Sequence, residues 1–236
     1  MQIRAGKVVL SIIGLFFVVL WTSLDHAAFA AESWLLFLPA ILSGRGQSTE
    51  IQTVTSATGR VWMDRNLGAS RVAIRSDDSQ AYGDLYQWGR LTDGHERRDS
   101  STTDIQSNSD IPGHDDFITG NNNWQDPFNQ NLWQDSGINN PCPSGFRIPT
   151  ETEWEAERLS WSSNNPEGAF ASPLKLTTGG YRVQDGTIKY ADLNGSYWSN
   201  DTGIYTSNGL HIYTGGAAGM AFSPHSYGMS IRCIKK

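Results

Sequence analysis

Two cysteines, Cys142 and Cys233, stand 91 residues apart, one past the middle of the chain and one near its end. An exported chain with a small, even number of cysteines usually pairs them. A bond here would tie the last segment back to the middle. In the chain-entropy picture, closing a loop of that size stabilises the fold by about 4 to 5 kcal/mol. The alternatives are a reactive thiol pair or a metal site. Two cysteines with no local histidine match no zinc spacing.

Export is read from the first thirty residues. Arg4 and Lys7 precede a mostly apolar stretch, 8–24, and Ala28 and Ala30 then supply small residues in the A-x-A arrangement. This is the layout of a secretory signal peptide cut after Ala30. The rival is an uncleaved anchor, because the stretch reaches the lower edge of a membrane span. A second apolar run, Trp34 to Leu42, is interrupted by Pro39 and is too short to span. It reads as a hydrophobic leader patch, with a partner-docking peptide as the alternative. Ser43 to Thr53 is small, polar and aperiodic, a linker. The expected organisation is a signal peptide at 1–30, an apolar leader and linker at 31–53, and one domain at 54–236.

The net charge of −6 lacks the basic face that phosphate neutralisation needs, so a nucleic-acid binder is excluded. Nine Trp, eight Tyr and nine Phe supply ample core material. Gly59-Arg60-Val61-Trp62-Met63-Asp64 alternates like a strand after a turn residue. Leu85 to Trp88 fits either a buried strand or half a helix. Residues 91 to 140 read as a long loop, with seven asparagines between 121 and 140. Trp124 and Trp133 are expected to pin this loop to the body. The mixed charges from Arg90 to Asp99 read as a wet surface.

Thr150-Glu151-Thr152-Glu153 is a capping box, so a helix of about ten residues should follow, ending before Ser162. Trp154, Leu159 and Trp161 are expected on its buried face. Glu151 and Glu155 as a paired acid and base is a weak alternative, since Glu in a first helical turn serves stability alone. Beyond the helix lie short strands and turns: a hairpin signal at Asp185-Gly186, then Tyr197–Ser199, Leu210–Tyr213 and Ser230–Ile234. Few helices and many short strands give an α+β or mostly-β chain.

Six motifs come in one order: Trp62-Met63-Asp64-Arg65-Asn66-Leu67-Gly68, Tyr82 to Gly89, Cys142 to Thr150, Gly179-Gly180-Tyr181-Arg182, Tyr197-Trp198-Ser199 and Ser230-Ile231-Arg232-Cys233. Together they resemble the Fibrobacter succinogenes major paralogous domain, across residues 54–236. The stretch from Arg147 to Glu155 also resembles a hallmark segment of the formylglycine-generating-enzyme family. The resemblance implies a C-type-lectin-like domain: few helices, short twisted antiparallel sheets and long loops. It also implies that Cys142 and Cys233 are paired. It supplies no chemistry, because the formylglycine enzymes work through a cysteine pair and no spare cysteine remains. Trp198-Ser199-Asn200-Asp201 and Asn165-Pro166-Glu167 approach the calcium signatures of sugar-binding C-type lectins, one with an extra Ser and one reversed. Calcium wants six to eight oxygens, and no clustered Asp spacing appears.

No histidine lies in a metalloprotease pattern and no nucleophile elbow exists, so an enzyme is not expected. His114 with Asp115 and Asp116 reads as a solvated loop; no metal site or cofactor is expected, calcium being the sole candidate. The expected function is a secreted or surface-displayed bacterial ligand-binding or adhesion protein, in the periplasm or at the cell surface. Its partner is a glycan or protein on another surface, and it touches membrane only if the N-terminal segment is uncleaved. The C-terminal loops carry the candidates: Tyr197, Asn200, Asp201, Tyr205, Asn208, His211, Tyr213, His225 and Tyr227. Rigid aromatics with small polar residues resemble a paratope. Trp198 is expected on the inward face, opposite Tyr197. The alternatives are an envelope scaffold that binds itself or a sibling, and a degenerate formylglycine-generating-enzyme-like protein.

Overall fold

The expected signal peptide, the apolar run Trp34–Leu42 and most of the expected linker lie outside the described residues. In a computed structural model of the chain, residues 50–134 and 137–236 are described. Thirteen strands follow in chain order: β1 (Thr53–Thr55), β2 (Val61–Met63), β3 (Tyr86–Gln87), β4 (Thr102–Thr103), β5 (Phe117–Ile118), β6 (Phe146–Arg147), β7 (Tyr181–Arg182), β8 (Ile188–Lys189), β9 (Gly195–Thr202), β10 (Thr206–Ile212), β11 (Gly219–Pro224), β12 (Gly228–Met229) and β13 (Ile234–Lys235). Two helices, α1 (Glu151–Leu159) and α2 (Pro166–Ala171), lie between β6 and β7. The fold is therefore α+β with short, mostly antiparallel sheets. No helix among the described residues is long and apolar enough to cross a membrane.

The strands form sheets ordered β1-β2-β13-β6, β3-β12-β7-β8 and β11-β10-β9, with a parallel β4-β5 pair apart. The chain end thus returns to its start, where Ile234 pairs with Trp62 and Arg147. Cys142 and Cys233 are bonded, with Cα atoms 5.9 Å apart, and lock that return. Tyr86-Gln87 resolves as a strand, as short buried runs next to glycine often do. The expected strand over Ser230–Ile234 is broken: Ser230 makes one bridge to Tyr197, and regular pairing resumes at Ile234. At the Asp185-Gly186 turn, Gly186 takes φ +82° and the chain reverses from β7 into β8.

α1 forms as the sequence dictates. Thr150 Oγ1 accepts from the Glu153 amide at 3.1 Å, and Glu153 Oε2 accepts from the Thr150 amide at 3.0 Å. Arg147 pairs with the same carboxylate at 2.7 Å, which holds the Glu153 pKa below its ordinary value despite burial. Trp154 is buried against Trp62, ring centres 4.9 Å apart, and Trp161 is buried beyond the helix. Leu159 is the correction, at 68% exposure. Five residues at 100° each place it about 140° around the helix from Trp154, away from the core.

Two clusters make the main core, one around Trp62, Trp154, Tyr197 and Leu210, the other around Trp88, Trp198, Met229 and the disulfide. Five indoles stitch them together. Trp198 donates to the Tyr86 carbonyl, Trp88 to Ser199, Trp154 to Trp198, Trp124 to Trp88 and Trp133 to Arg90, at 2.6 to 3.1 Å. A buried indole usually finds such an acceptor; here each of the five acceptors is a backbone carbonyl, while the buried Trp62 and Trp161 indole nitrogens have none among the described residues. Arg232 is buried as well; it donates to Asn66 Oδ1 and to the Leu174 carbonyl.

Candidate functional site

The long loop is ordered, and tryptophans anchor it. Trp124 and Trp133 are buried, Trp124 packing with Ile118 and Leu132. Gln87, fully buried, braces it further, donating to the Ile118 and Ser226 carbonyls and accepting from the Ile118 amide. Asn139 donates to the carbonyls of Gly89 and Asp110.

This bracing opens an outward groove of about 1000 Å³ between residues 106–131 and the β9–β10 turn at Ile204 and Tyr205. Its walls carry nine amide side chains, the carboxylates of Asp110 and Asp126, Phe128 and Tyr205, with no Lys or Arg. Asp110 is spent inside the wall, accepting from Gln125 Nε2 at 2.6 Å and Asn129 Nδ2 at 3.0 Å. Asn123 Nδ2 donates to the Ile204 carbonyl and fastens the hairpin tip to the loop. Among the described residues, the side chains of Asn108, Asn121, Gln130 and Asn131 have no hydrogen-bond partner. Each such amide offers two donors and an acceptor to a ligand.

The floor is rigid. Phe128 stacks on His225, ring centres 4.0 Å apart at 11°. Because Asn123 Nδ2 donates elsewhere, its Oδ1 accepts from His225 Nδ1, which leaves His225 Nε2 facing the Thr202 hydroxyl at 3.1 Å. Burial lowers the His225 pKa to about 4, so the imidazole is neutral. The ring has no solvent-exposed surface; it supports the wall and reaches no substrate.

The nine sequence candidates separate into three groups. Tyr197, His211 and His225 are core. Tyr197 does not oppose Trp198 across an exposed strand: both are buried, and the Tyr197 hydroxyl accepts from the Thr177 amide at 2.7 Å and donates to its carbonyl at 2.8 Å. The sheet is covered on both faces here, so alternation does not sort inward from outward. His211 lies between Ser196 and Ser223 hydroxyls, and burial lowers its pKa to about 4.

Asn200, Asp201 and Asn208 form the second group, bracing neighbouring elements. Asp201 Oδ2 accepts the Glu151 amide at the positive end of α1. Asn208 Nδ2 donates to Glu151 Oε2 at 2.6 Å, and the Asn200 carbonyl accepts from Gln134. At the calcium-like signature, Asp201 is thus engaged with the start of α1, and Asn200 through its main chain with Gln134. Glu151 and Glu155 are likewise partnered, the latter with Arg158. Only Tyr205, Tyr213 and Tyr227 reach solvent with their rings. Tyr205, 66% exposed, stands on the groove rim.

The stretch from Arg90 to Asp99 is not the wet surface expected: Arg90, His95 and Glu96 are buried. Asp93, His95 and Glu96 offer atoms within 4.8 Å of one another, the spacing of a metal set. Both His95 nitrogens are already used, Nδ1 toward Asp93 at 2.6 Å and Nε2 accepting the Gln87 amide at 3.0 Å. Arg90 also pairs with Asp93 at 2.8 Å. Burial lowers the His95 pKa to about 4, while His95 and Arg90 hold Asp93 at about 2 against its own desolvation. The cluster is an ion network bracing the loop's entry.

A smaller pocket of about 380 Å³ contains Asp84, whose pKa burial and Glu96 raise to about 6, beside Arg97 and Arg98. Sequence reading missed the groove itself. The signal was present in the seven asparagines of 121–140, whose amides had no periodic assignment. No family model, no curated protein and no solved structure matches this chain.

Proposed function

We propose that this chain is an exported ligand-binding module on a C-type-lectin-like frame, and that the 106–131 groove takes a neutral, hydroxyl-rich ligand, a glycan. The observation that carries this reading is the groove's lining. Unpartnered amides present paired donors and acceptors to hydroxyls, and Phe128 and Tyr205 present ring faces. Two carboxylates without a Lys or Arg disfavour phosphate, uronate or nucleic acid. The volume lies at the upper end of small-ligand sites. The bonded Cys142 and Cys233 are compatible with an oxidising, extracytoplasmic location.

The test is a glycan array with the full chain, in calcium and in chelator. Specific binding that falls in Gln130→Ala, Asn131→Ala and Tyr205→Ala, and ignores chelator, is expected. A blank array with folded protein overturns the reading.

A second reading, an envelope scaffold that binds itself, is favoured by β11. This edge strand carries no charged residue, and Phe222 on it is 69% exposed. Unprotected edges invite strand pairing. Concentration-dependent sedimentation abolished by Phe222→Lys would support it.

A further inference from the structure

The groove wall at Asn121 and Asn122 is held from behind by two other segments. Gln184 donates to the Asn121 carbonyl and to Asn122 Oδ1, and the Ser226 amide donates to the Asn122 carbonyl at 3.0 Å. Gln184 follows β7, and Ser226 precedes Tyr227. The groove wall is thus backed directly by the segments that carry Tyr181 and Tyr227. Those rings stack, 5.8 Å apart at 14°, and Tyr190 lies 5.8 Å from Tyr181 on the other side. Tyr213 approaches from a fourth element: Thr214 donates from Oγ1 to the Leu193 carbonyl and from its amide to Asn194 Oδ1, tying it to the 190–194 turn. Tyr190 is 53% exposed and Tyr213 40%, with Tyr181 and Tyr227 half-buried beneath.

The turn that presents Tyr190 is strained. Tyr190 and Asp192 have φ of 55° and 70°, the left-handed region that side chains avoid. Such residues persist where the surroundings over-determine them. Here the Thr178 carbonyl accepts from the Asp192 amide, the Tyr190 carbonyl accepts from Leu193 and Asn194, and Tyr82 donates to Asp192. At Gly180, φ is +71° and a Cβ would meet the Lys189 carbonyl at 2.4 Å, so glycine is what lets β7 and this turn close together. Four tyrosines from four elements are held in place before any ligand arrives, Tyr190 and Tyr213 with exposed rings and Tyr181 and Tyr227 half-buried against the core. The charges nearby, Asp185, Asp192 and Lys189, are of both signs and select no ionic partner.

We propose that Tyr181, Tyr190, Tyr213 and Tyr227 form a second subsite continuous with the amide groove, and that the ligand is a neutral polysaccharide chain spanning both. The negative ring faces attract the C–H faces of sugar rings, while the amides take hydroxyls of neighbouring units. This rests on the glycan reading of the groove. It adds that chain length matters and that the tyrosines grip the polymer away from the groove.

The experiment is affinity electrophoresis of the full chain through gels holding soluble mannan, xylan or mixed-linkage glucan, with polygalacturonate as the anionic control. Calorimetry follows with the matching disaccharide and hexasaccharide. Retardation by a neutral polymer and not by polygalacturonate is expected, with the hexasaccharide bound more tightly than the disaccharide. Tyr190→Ala, at an exposed ring, and Tyr213→Ala, whose ring also stacks on His211, should weaken the hexasaccharide about tenfold, the equivalent of about 1.4 kcal/mol, and the disaccharide far less. Tyr227→Phe should retain binding, since the ring face is kept. Asn131→Ala should weaken both lengths. If the two lengths bind equally, or the tyrosine variants match the parent, the second subsite is overturned while the groove stands. If no neutral polymer or disaccharide binds, both fall. If Tyr190→Ala instead abolishes self-association without changing polysaccharide retardation, the face is a protein interface and the proposal is wrong.

Discussion

The described residues of the loop region from 91 to 140 and the β9–β10–β11 sheet are held in place by different means. The sheet satisfies its backbone through a ladder, with β10 paired along nearly its whole length on both sides. Among its described residues, the loop contains only the two-residue strands β4 and β5. Beyond scattered turn and bridge hydrogen bonds of its own backbone, it is tied down by buried side chains: Gln87, Arg90 and Asn139 bond its main chain, and the Trp124 and Trp133 indoles bond the segment it packs on. In the sheet many backbone bonds share the work. In the loop one side chain serves several groups, so its loss strands several polar atoms at once. The same arrangement leaves amides such as Asn121 and Gln130 free for a ligand, which a ladder-built surface offers less readily.

Removing the disulfide tests what the two regions share. Cys142→Ser with Cys233→Ser should lower stability by about 4 to 5 kcal/mol, and urea denaturation should show the whole domain shifting together. Trp124→Ala should cost about 3 to 5 kcal/mol and separate the regions. Hydrogen exchange should accelerate across 103–131 well before β9–β11, with ligand binding lost. Equal acceleration in both would break the comparison.

Acid tests both regions and the joint between them, because His95 belongs to the loop, His211 to the sheet and His225 to their contact. Each has its folded pKa lowered from 6.5 to about 4 by burial. Between those values the unfolded chain binds protons that the folded chain does not. Their contribution is complete above pH 6.5 and is lost as pH falls toward 4, at most about 1.4 kcal/mol per unit for each histidine. Asp84 opposes this weakly. Its folded pKa is raised to about 6, so its contribution is present at low pH and lost as pH rises from about 4 to 6. Urea midpoints should therefore fall from pH 7 to pH 4.5; midpoints that stay flat would sink the neutral-histidine account. The smallest effect is expected at Leu159→Ser, within about 0.5 kcal/mol, since exposed positions away from special features tolerate change. A larger thermal shift would mean α1 carries more on that side than its exposure suggests.

Some of this was legible in the residues alone. Thr150 with Glu153 specifies the start of α1 because both partners lie within one turn. Asp185-Gly186 specifies its hairpin for the same local reason. Leu159 was misplaced because helix phase decides its face, and the buried pair Trp154 and Trp161 did not fix that phase. Arg90 to Glu96 was misread because charge-rich composition signals exposure unless each charge finds a partner, and those partners come from other segments.

The local and pairwise features were set by the sequence: capping, the turn, the helix, the loop anchored by tryptophan, and the two cysteines available to bond. Which aromatics and amides meet solvent was decided only by the tertiary structure. Tyr197 and Tyr205 are the same residue type eight positions apart, yet one is core and the other a groove rim. That difference depends on Thr177, Asn123 and the 106–131 loop, far away in the chain, and no local periodicity encodes contacts at such separations.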